Sequence, residues 1–420
     1  MNYLEENHDE ELSLFTPPPN NTGIRRKEWV EYRPINQISE YAALEFLVPP
    51  QSAGYLDLKN SCIKVKLRLV DGSGDPVVKD VNVGLVNLPL HAIFSQVDCR
   101  LQQTNMGEIG SNYPYKAYMD TLLNTGVNDK VRLTSQLFEK DTAGYHDDAG
   151  VRTGGNTGLY LRGRYTDNGR VLEMEGPIEM DIFQQNRLIV NGVSLALKFW
   201  PSKNAFRLMS DDEGSAFKVQ ILDASLNVCL QYPNNAVLLA HGKLLEEANA
   251  VYPLLQSRMK IASVSKGEYS HSENNLFQGE IPSQLIVGLV SSAAYEGDYK
   301  RSPFNFQSFN CNFLGLYIDG QSYPAKPLQP NFAGKNYVEA YRTLKAFRHD
   351  VDISYLEYGG GFALFALNIE DNIDFNSKRR GDCRLEIRFG KALPESVTVI
   401  VYGKFPRIVH VDQSRNVLLQ

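Results

Sequence analysis

Apolar and polar positions alternate with a period of two over much of the chain. In Ile63-Lys64-Val65-Lys66-Leu67-Arg68-Leu69 one face is apolar and the other carries three cations, the pattern of a half-buried strand. Cys383-Arg384-Leu385-Glu386-Ile387-Arg388-Phe389 repeats it. So does the stretch in which Leu226, Val228 and Leu230 alternate with Asn227 and Cys229. Further strands are predicted at Ile178–Phe183, Arg187–Val190, Val193–Trp200, Lys218–Leu230, Pro253–Val264, Leu285–Val290, Phe309–Ile318, Phe362–Leu367 and Val397–Tyr402. Two stretches switch to a helical period. Tyr115, Tyr118, Met119, Leu122 and Leu123 fall at i, i+3, i+4, i+7 and i+8, with Asn112 placed to cap the start, Pro114 in the first turn and Gly126 at the end. Tyr337, Ala340, Tyr341 and Leu344 hold i, i+3, i+4 and i+7 in the same way.

The two helices share more than their period. AYMDTL at 117–122 resembles AYRTL at 340–344, and an apolar strand precedes each, LHAIFSQVDCRL at 90–101 and FNCNFLGLYIDG at 309–320. NGVSLALKFWP at 191–201 and SVTVIVYGKFP at 396–406 have the same strand-then-proline character. The chain therefore makes one kind of β domain twice, and 420 residues suit two cores of about 200 each. The expected division is a flexible arm at 1–27, a first domain at 28–232, a linker at 233–250 holding a short helix over Val237–Ala250, a second domain at 251–408 and a tail at 409–420. Short strands, long loops and one crossover helix per domain fit sandwiches or jelly rolls. The helix lies between the early and late strands of each half, which favours jelly rolls. Residues 126–170, rich in Gly, Asp, Asn and Thr with little periodicity, read as a long loop that either has a role or moves.

Residues 1–27 start acidic (Glu5, Glu6, Asp9, Glu10, Glu11), pass through Leu12, Leu14 and Phe15, and reach Pro17-Pro18-Pro19. Such a run forms neither a regular helix nor a central strand. Two readings stand: a disordered terminus, or a tether whose Leu12, Leu14, Phe15, Pro17 and Pro18 dock on a neighbouring subunit.

Composition narrows the function. A net charge of -6 opposes affinity gained by coating nucleic acid with cations. There is no apolar run of membrane-spanning length, and the N-terminus lacks a signal-peptide pattern. Five well-separated cysteines, Cys62, Cys99, Cys229, Cys311 and Cys383, read as reduced core residues of an intracellularly made protein. Phosphate-loop, zinc-protease, CxxC and nucleophile-elbow motifs are missing. Gly154-Gly155 and Gly359-Gly360-Gly361 read as tight turns, and His146-Asp147-Asp148 as a solvated charge cluster rather than a cation site. Lys378-Arg379-Arg380 reads as a charged loop. No cofactor or metal is expected. The competing enzyme or lectin reading would need a His/carboxylate cluster on a strand pair, or a calcium loop.

Several stretches resemble the major capsid proteins of Polinton/Maverick elements and adintoviruses. They are LSLFTPPPNNTGIRRKEWVEYRPI at 12–35, LPLHAIFSQVDCRL at 88–101, YPYKAYMDTLLNTG at 113–126, SQLFEKDTAG at 135–144, IPSQLIVGLV at 281–290, SPFNFQSFNCNFLGLYIDGQSYPAKPLQPNF at 302–332, YVEAYRTL at 337–344, LFALNI at 364–369 and GDCRLEIRFGKALPESVTVIVYGKF at 381–405. They follow family order across nearly the whole chain. The resemblance implies an all-β double jelly roll, two eight-stranded antiparallel β-sandwiches side by side with one short crossover helix per domain. It implies a structural, non-enzymatic protein that forms a homotrimer, a pseudo-hexameric capsomer tiling an icosahedral shell. Implied partners are neighbouring capsomers, penton and minor capsid proteins, and packaged double-stranded DNA touched only locally. Localisation would be the virion, with synthesis in the host cytoplasm and assembly in the nucleus. In this family setting Tyr115, Tyr118, Leu122, Tyr337, Tyr341 and Leu344 are expected to pack the crossover helices.

Overall fold

The computed structural model describes residues 23–107, 109–126, 133–212, 214, 216–347, 350–369 and 380–420. In the first half the strands are β1 (Ile24–Tyr32), β2 (Leu44–Val48), β3 (Tyr55–Val70), β4 (Val83–Leu85), β5 (Phe94–Leu101), β6 (Thr104–Asn105), β7 (Leu172–Pro177), β8 (Leu195–Pro201), β9 (Leu208–Ser210) and β10 (Lys218–Pro233). They form two four-stranded antiparallel sheets ordered β1-β10-β3-β7 and β2-β8-β5-β6, with β4 and β9 as a small separate pair. The alternation at Ile63–Leu69 lies inside β3, where Ile63, Val65, Leu67 and Leu69 are buried while Lys64, Lys66 and Arg68 sit on the outer face.

In the second half follow β11 (Ala250–Val264), β12 (Ser270–Glu273), β13 (Gln284–Ser291), β14 (Cys311–Ile318), β15 (Gln321–Leu328), β16 (Leu364–Asn368), β17 (Cys383–Phe389), β18 (Val397–Val411) and β19 (Val417–Leu419). Their sheets run β11-β18-β13-β16, with β19 added on β18, and β12-β17-β14-β15. Setting aside the β4/β9 pair and β19, the two halves have one strand order. In each, the first, last, third and sixth strands make one sheet, and the second, seventh, fourth and fifth make the other. That order is the eight-stranded jelly roll, made twice.

Among the described residues four longer helices accompany the strands: α1 (Tyr113–Asn124), α2 (Thr157–Thr166), α3 (Asn235–Glu247) and α4 (Val338–Phe347). α1 and α4 occupy the same place in their halves, between the fifth and sixth strands of the roll. α3 links the halves, two residues ahead of its expected start, because the Asn234 side chain accepts from Val237 N at 2.9 Å and caps it.

Several expectations are corrected. β1 begins at Ile24, inside the expected arm, and pairs along β10 from Ile24 opposite Pro233. The expected tail is not one: β18 runs on to Val411, β19 pairs back onto it, and Val411 and Val417 are buried. Thr104 Oγ1 donates to Val417 O at 2.6 Å and Arg415 Nε to Asn191 O at 2.6 Å, tying the C-terminus to the first half. Ile178–Phe183 is not a strand; the chain turns there into a short helix, Asp181–Gln184. Arg187–Val190 contributes only a bridge between Ile189 and Leu56. Residues 133–170 contain α2 rather than loop alone, so the first half has more than one helix. Asn112 does not cap α1 with its side chain. Its Nδ2 donates to Ile109 O and its Oδ1 accepts from Tyr295.

The two cores interlock across the halves. α1 belongs by sequence to the first half, yet Tyr115, Tyr118, Met119, Leu122 and Leu123 pack in the core of the second. In return Tyr252 and Leu254 of β11 and Val409 and Val411 of β18 pack in the core of the first.

Candidate functional site

Between the two halves lies a buried seam. α1 lies in it, with every residue from Tyr113 to Leu123 buried, Lys116 and Asp120 included. Its ring face stacks on the second half. The Tyr118 and Phe304 rings lie 4.2 Å apart at 3°, and Tyr115 stacks on Tyr295 at 5.6 Å and meets Phe206 and Phe304 edge-on. Pairs at these distances add to the area they bury.

Its polar side ends in a charge cluster. Lys116 Nζ lies 2.8 Å from Asp120 Oδ2, one helical turn away, and 3.2 Å from Asp181 Oδ1. From β18, Lys404 Nζ reaches Asp120 Oδ1 at 2.9 Å, and the Tyr402 hydroxyl donates to the same carboxylate at 2.9–3.0 Å. From β11, Ser257 donates to Asp181 through its N at 2.7 Å and its Oγ at 2.8 Å. Two ammoniums meet two carboxylates, so the cluster is neutral as a whole, and each carboxylate has several donors. Burial opposes the charge of Asp120, but Lys116 and Lys404 hold its carboxyl well below the usual range. Burial likewise opposes the charge of Lys116, and Asp120 and Asp181 overturn it, holding the ammonium well above the usual lysine value. Such a cluster fixes one geometry between the halves.

His91 is a second buried polar group in the seam region. Its Nε2 is 3.0 Å from Gln136 Oε1 and its Nδ1 2.8 Å from the Tyr113 hydroxyl, which accepts from Glu179 N. Burial lowers its pKa to about 4, so the ring is neutral.

His146-Asp147-Asp148 is not a solvated cluster. His146 is buried, its ring edge-on to Phe362 at 4.7 Å. Asp147 accepts from Ser302 N at 2.9 Å and Asn305 Nδ2 at 2.7 Å, stitching this loop to the second half. Asp148 instead accepts from Gly150 N and Gly155 N in its own turn. The three side chains thus go to different partners. Among the described residues no group of three or more His, Cys, Asp or Glu is placed to hold a metal ion. Gly361 has φ +114°, and a Cβ there would lie 2.3 Å from His146 Nδ1, so glycine is required for this packing.

Of the residues singled out from sequence, Tyr115, Tyr118, Leu122, Tyr337 and Leu344 are buried, and Tyr341 is half-buried with its hydroxyl donating to Ile353 O at 2.9 Å. Tyr337 precedes α4 and stacks on Phe332 at 5.0 Å and against Tyr355 at 4.8 Å. Both tyrosine sets pack in the core of the second half, each in its own group of ring contacts. Leu12, Leu14, Phe15, Pro17 and Pro18 lie outside the described residues, as do Lys378 and Arg379. The charge cluster was missed. Its one local signal is Lys116 and Asp120 at i, i+4 inside a helix with no polar face to receive them.

The outer surface carries large apolar side chains. Tyr41, Trp29, Tyr269 and Leu356 are more than half exposed, and Val251, Leu255, Ile408 and Leu418 stand out from the β11-β18-β19 region. No helix among the described residues is long and apolar enough to cross a membrane.

No family profile matches the chain. It is 24% identical over 429 residues to the uncharacterised protein F54H12.2 of Caenorhabditis elegans, covering 95% of this chain and 98% of that one. Among solved structures it is similar to a chain of the Sputnik virophage solved by cryo-EM, with TM-score 0.67 at 12% identity over 98% of this chain and 92% of that chain. It is also similar to the Faustovirus major capsid protein, with TM-score 0.59 at 8% identity over 95% and 93%. For the mavirus major capsid protein the TM-score is 0.53 at 9% identity over 98% and 93%. What the chain shares with these at such identities is the fold, a double jelly roll.

Proposed function

We propose that this chain is a structural coat subunit, a major capsid protein whose three copies form a capsomer of an icosahedral shell. The repeated strand order carries the reading. Two like rolls joined by a buried seam make a block of two similar units, and three such blocks around an axis offer six similar faces to their neighbours. The full-length likeness to the Faustovirus and mavirus major capsid proteins supports it. The sequence stretches that resemble Polinton/Maverick and adintovirus capsid proteins point to that lineage. In this reading the protein acts by assembly rather than catalysis, and its partners are other capsomers together with penton and minor capsid proteins. The virion is its location, reached by synthesis in the cytoplasm and assembly in the nucleus. With a net charge of -6, contact with packaged double-stranded DNA is local.

The nematode relative favours a second form of the same reading, in which the chain is encoded in an animal genome as an integrated element or a host-retained copy. Negative-stain microscopy of the purified full-length protein tests both. Particles of hexagonal outline that go on to closed shells support a coat subunit. Hexagonal particles that never close support the retained copy, and single two-lobed particles alone would overturn both.

A further inference from the structure

Where the described chain begins, it begins on the rim of an apolar groove. The groove, of about 810 Å³, runs along α3 between the starts of β1 and β11, and is lined by Ile24, Tyr55, Val237, Leu244, Leu245 and Tyr252 among others. Its walls are incompletely covered: Leu244 is 59% and Val251 37% exposed. Gly23 also lines it, and Gly23 O accepts from Asn234 N at 2.9 Å, which pins the root of the N-terminal segment beside the first turn of α3. A groove of this size lined mainly by apolar side chains is built to be filled.

We propose that the groove seats the chain's own N-terminal segment Leu12–Phe15. Length fits. From the root at Asn234 to Leu244 the helix rises ten residues, about 15 Å. If Asn20-Asn21-Thr22 reverse the chain, as Asn-rich dipeptides readily do, the five residues from Pro19 back to Phe15 span about 15 Å in the extended form that prolines impose. Phe15 and Leu14 then arrive at Leu244. Charge fits as well. Glu10 and Glu11 precede the apolar segment, and Arg187 lines the groove. Proline restricts the free chain, so seating a segment behind three prolines costs less chain entropy than seating one behind a flexible spacer. The inference stands whether or not the chain builds shells.

The test uses the full-length protein with Phe15→Cys and Leu244→Cys, mildly oxidised and followed by non-reducing gels and peptide mapping. The reference is Phe15→Cys with Leu356→Cys, since Leu356 is 81% exposed on a different element. The expected result is a bridge within one chain, formed at least about ten-fold faster than in the reference, as a pre-seated segment has a high effective concentration. Equal rates would overturn the proposal. So would bridging found only in dimers, which would give the groove to a neighbouring copy. A second readout avoids the double cysteine. In Leu14→Ser/Phe15→Ser the emptied groove should bind more of the apolar dye anilinonaphthalene sulfonate than the parent protein, and adding Leu244→Ser should reverse much of the gain. Unchanged dye binding in the first variant would overturn the proposal.

Discussion

Lys404 of β18 places its ammonium 2.9 Å from Asp120 of α1, so a strand of the second jelly roll closes an ion pair on a helix of the first. The pair lies 284 positions apart in sequence and is nearly dry. Removing the carboxylate would take the ion pair from Lys404 and leave Lys116 with Asp181. Asp120→Asn is expected to destabilise the protein by about 3–5 kcal/mol in denaturant unfolding. A loss below about 1 kcal/mol would mean that the seam opens to water.

Acid should act in two steps. His91 has a folded pKa of about 4 against an ordinary 6.5. The unfolded chain therefore binds the proton first, and stability falls as pH drops from about 6.5 to 4, by roughly 3 kcal/mol. Asp120 has a depressed folded pKa, so its contribution is full above the ordinary carboxylate value of 3.8 and is lost as pH falls further. Thermal melts between pH 7 and pH 3 check both steps. His91→Gln should flatten the first and leave the second.

Tyr118 and Tyr341 hold comparable positions in the sequence pattern and unequal ones in the fold. Tyr118→Ala is expected to cost about 3–5 kcal/mol, as for other buried rings, since it also empties the stack on Phe304. Tyr341→Ala should cost about 1–2 kcal/mol, chiefly the Ile353 hydrogen bond and part of a ring contact. Equal costs would contradict this placement of the two helices.

Gly361→Ala should destabilise by roughly 1–3 kcal/mol, because it combines a positive φ with a Cβ against the His146 ring. Gly267→Ala serves as reference, having a positive φ and no atom within 4 Å of the added Cβ. The difference between the two melting temperatures isolates the crowding against His146 and Asn305.

All five cysteines are free, four of them buried and Cys62 half-buried. Burial raises the thiols of Cys62, Cys311 and Cys383 to about 12 and that of Cys229 to about 11. Iodoacetamide near neutral pH should modify the native protein slowly, Cys62 first, and reductant should leave the melting temperature unchanged. A drop on reduction would contradict this.

Much of this fold was legible because strands with one wet face declare themselves. Cys383–Phe389 was read to the residue, since its three charged positions alternate with four buried ones. The two crossover helices were legible from their apolar spacing. What α1 touches was not. Lys116 and Asp120 sit in a helix with no polar face, and the groups that accept them, Asp181 and Lys404, arrive from distant elements. α2 escaped for a related reason: its buried side consists of Gly158, Leu159, Arg162, Gly163 and Thr166 rather than an apolar stripe. The glycines let backbone approach Lys140 O and the Val151 side chain, while Arg162 donates to Leu85 O at 2.8 Å and to Asp141 at 2.6 Å. Asp181 fell inside a predicted strand, and its bonds to Ser257 hold a turn there instead. The C-terminal strand β19 was too short to show a pattern, and its place depends on β18 and the first half.

The native mass of the full-length protein, measured by light scattering on a size-exclusion peak, tests the coat-subunit reading most directly. A mass about three times the 47.2 kDa of the chain, unchanged on dilution, is the expected result. A stable species of a single chain's mass at every concentration would contradict it.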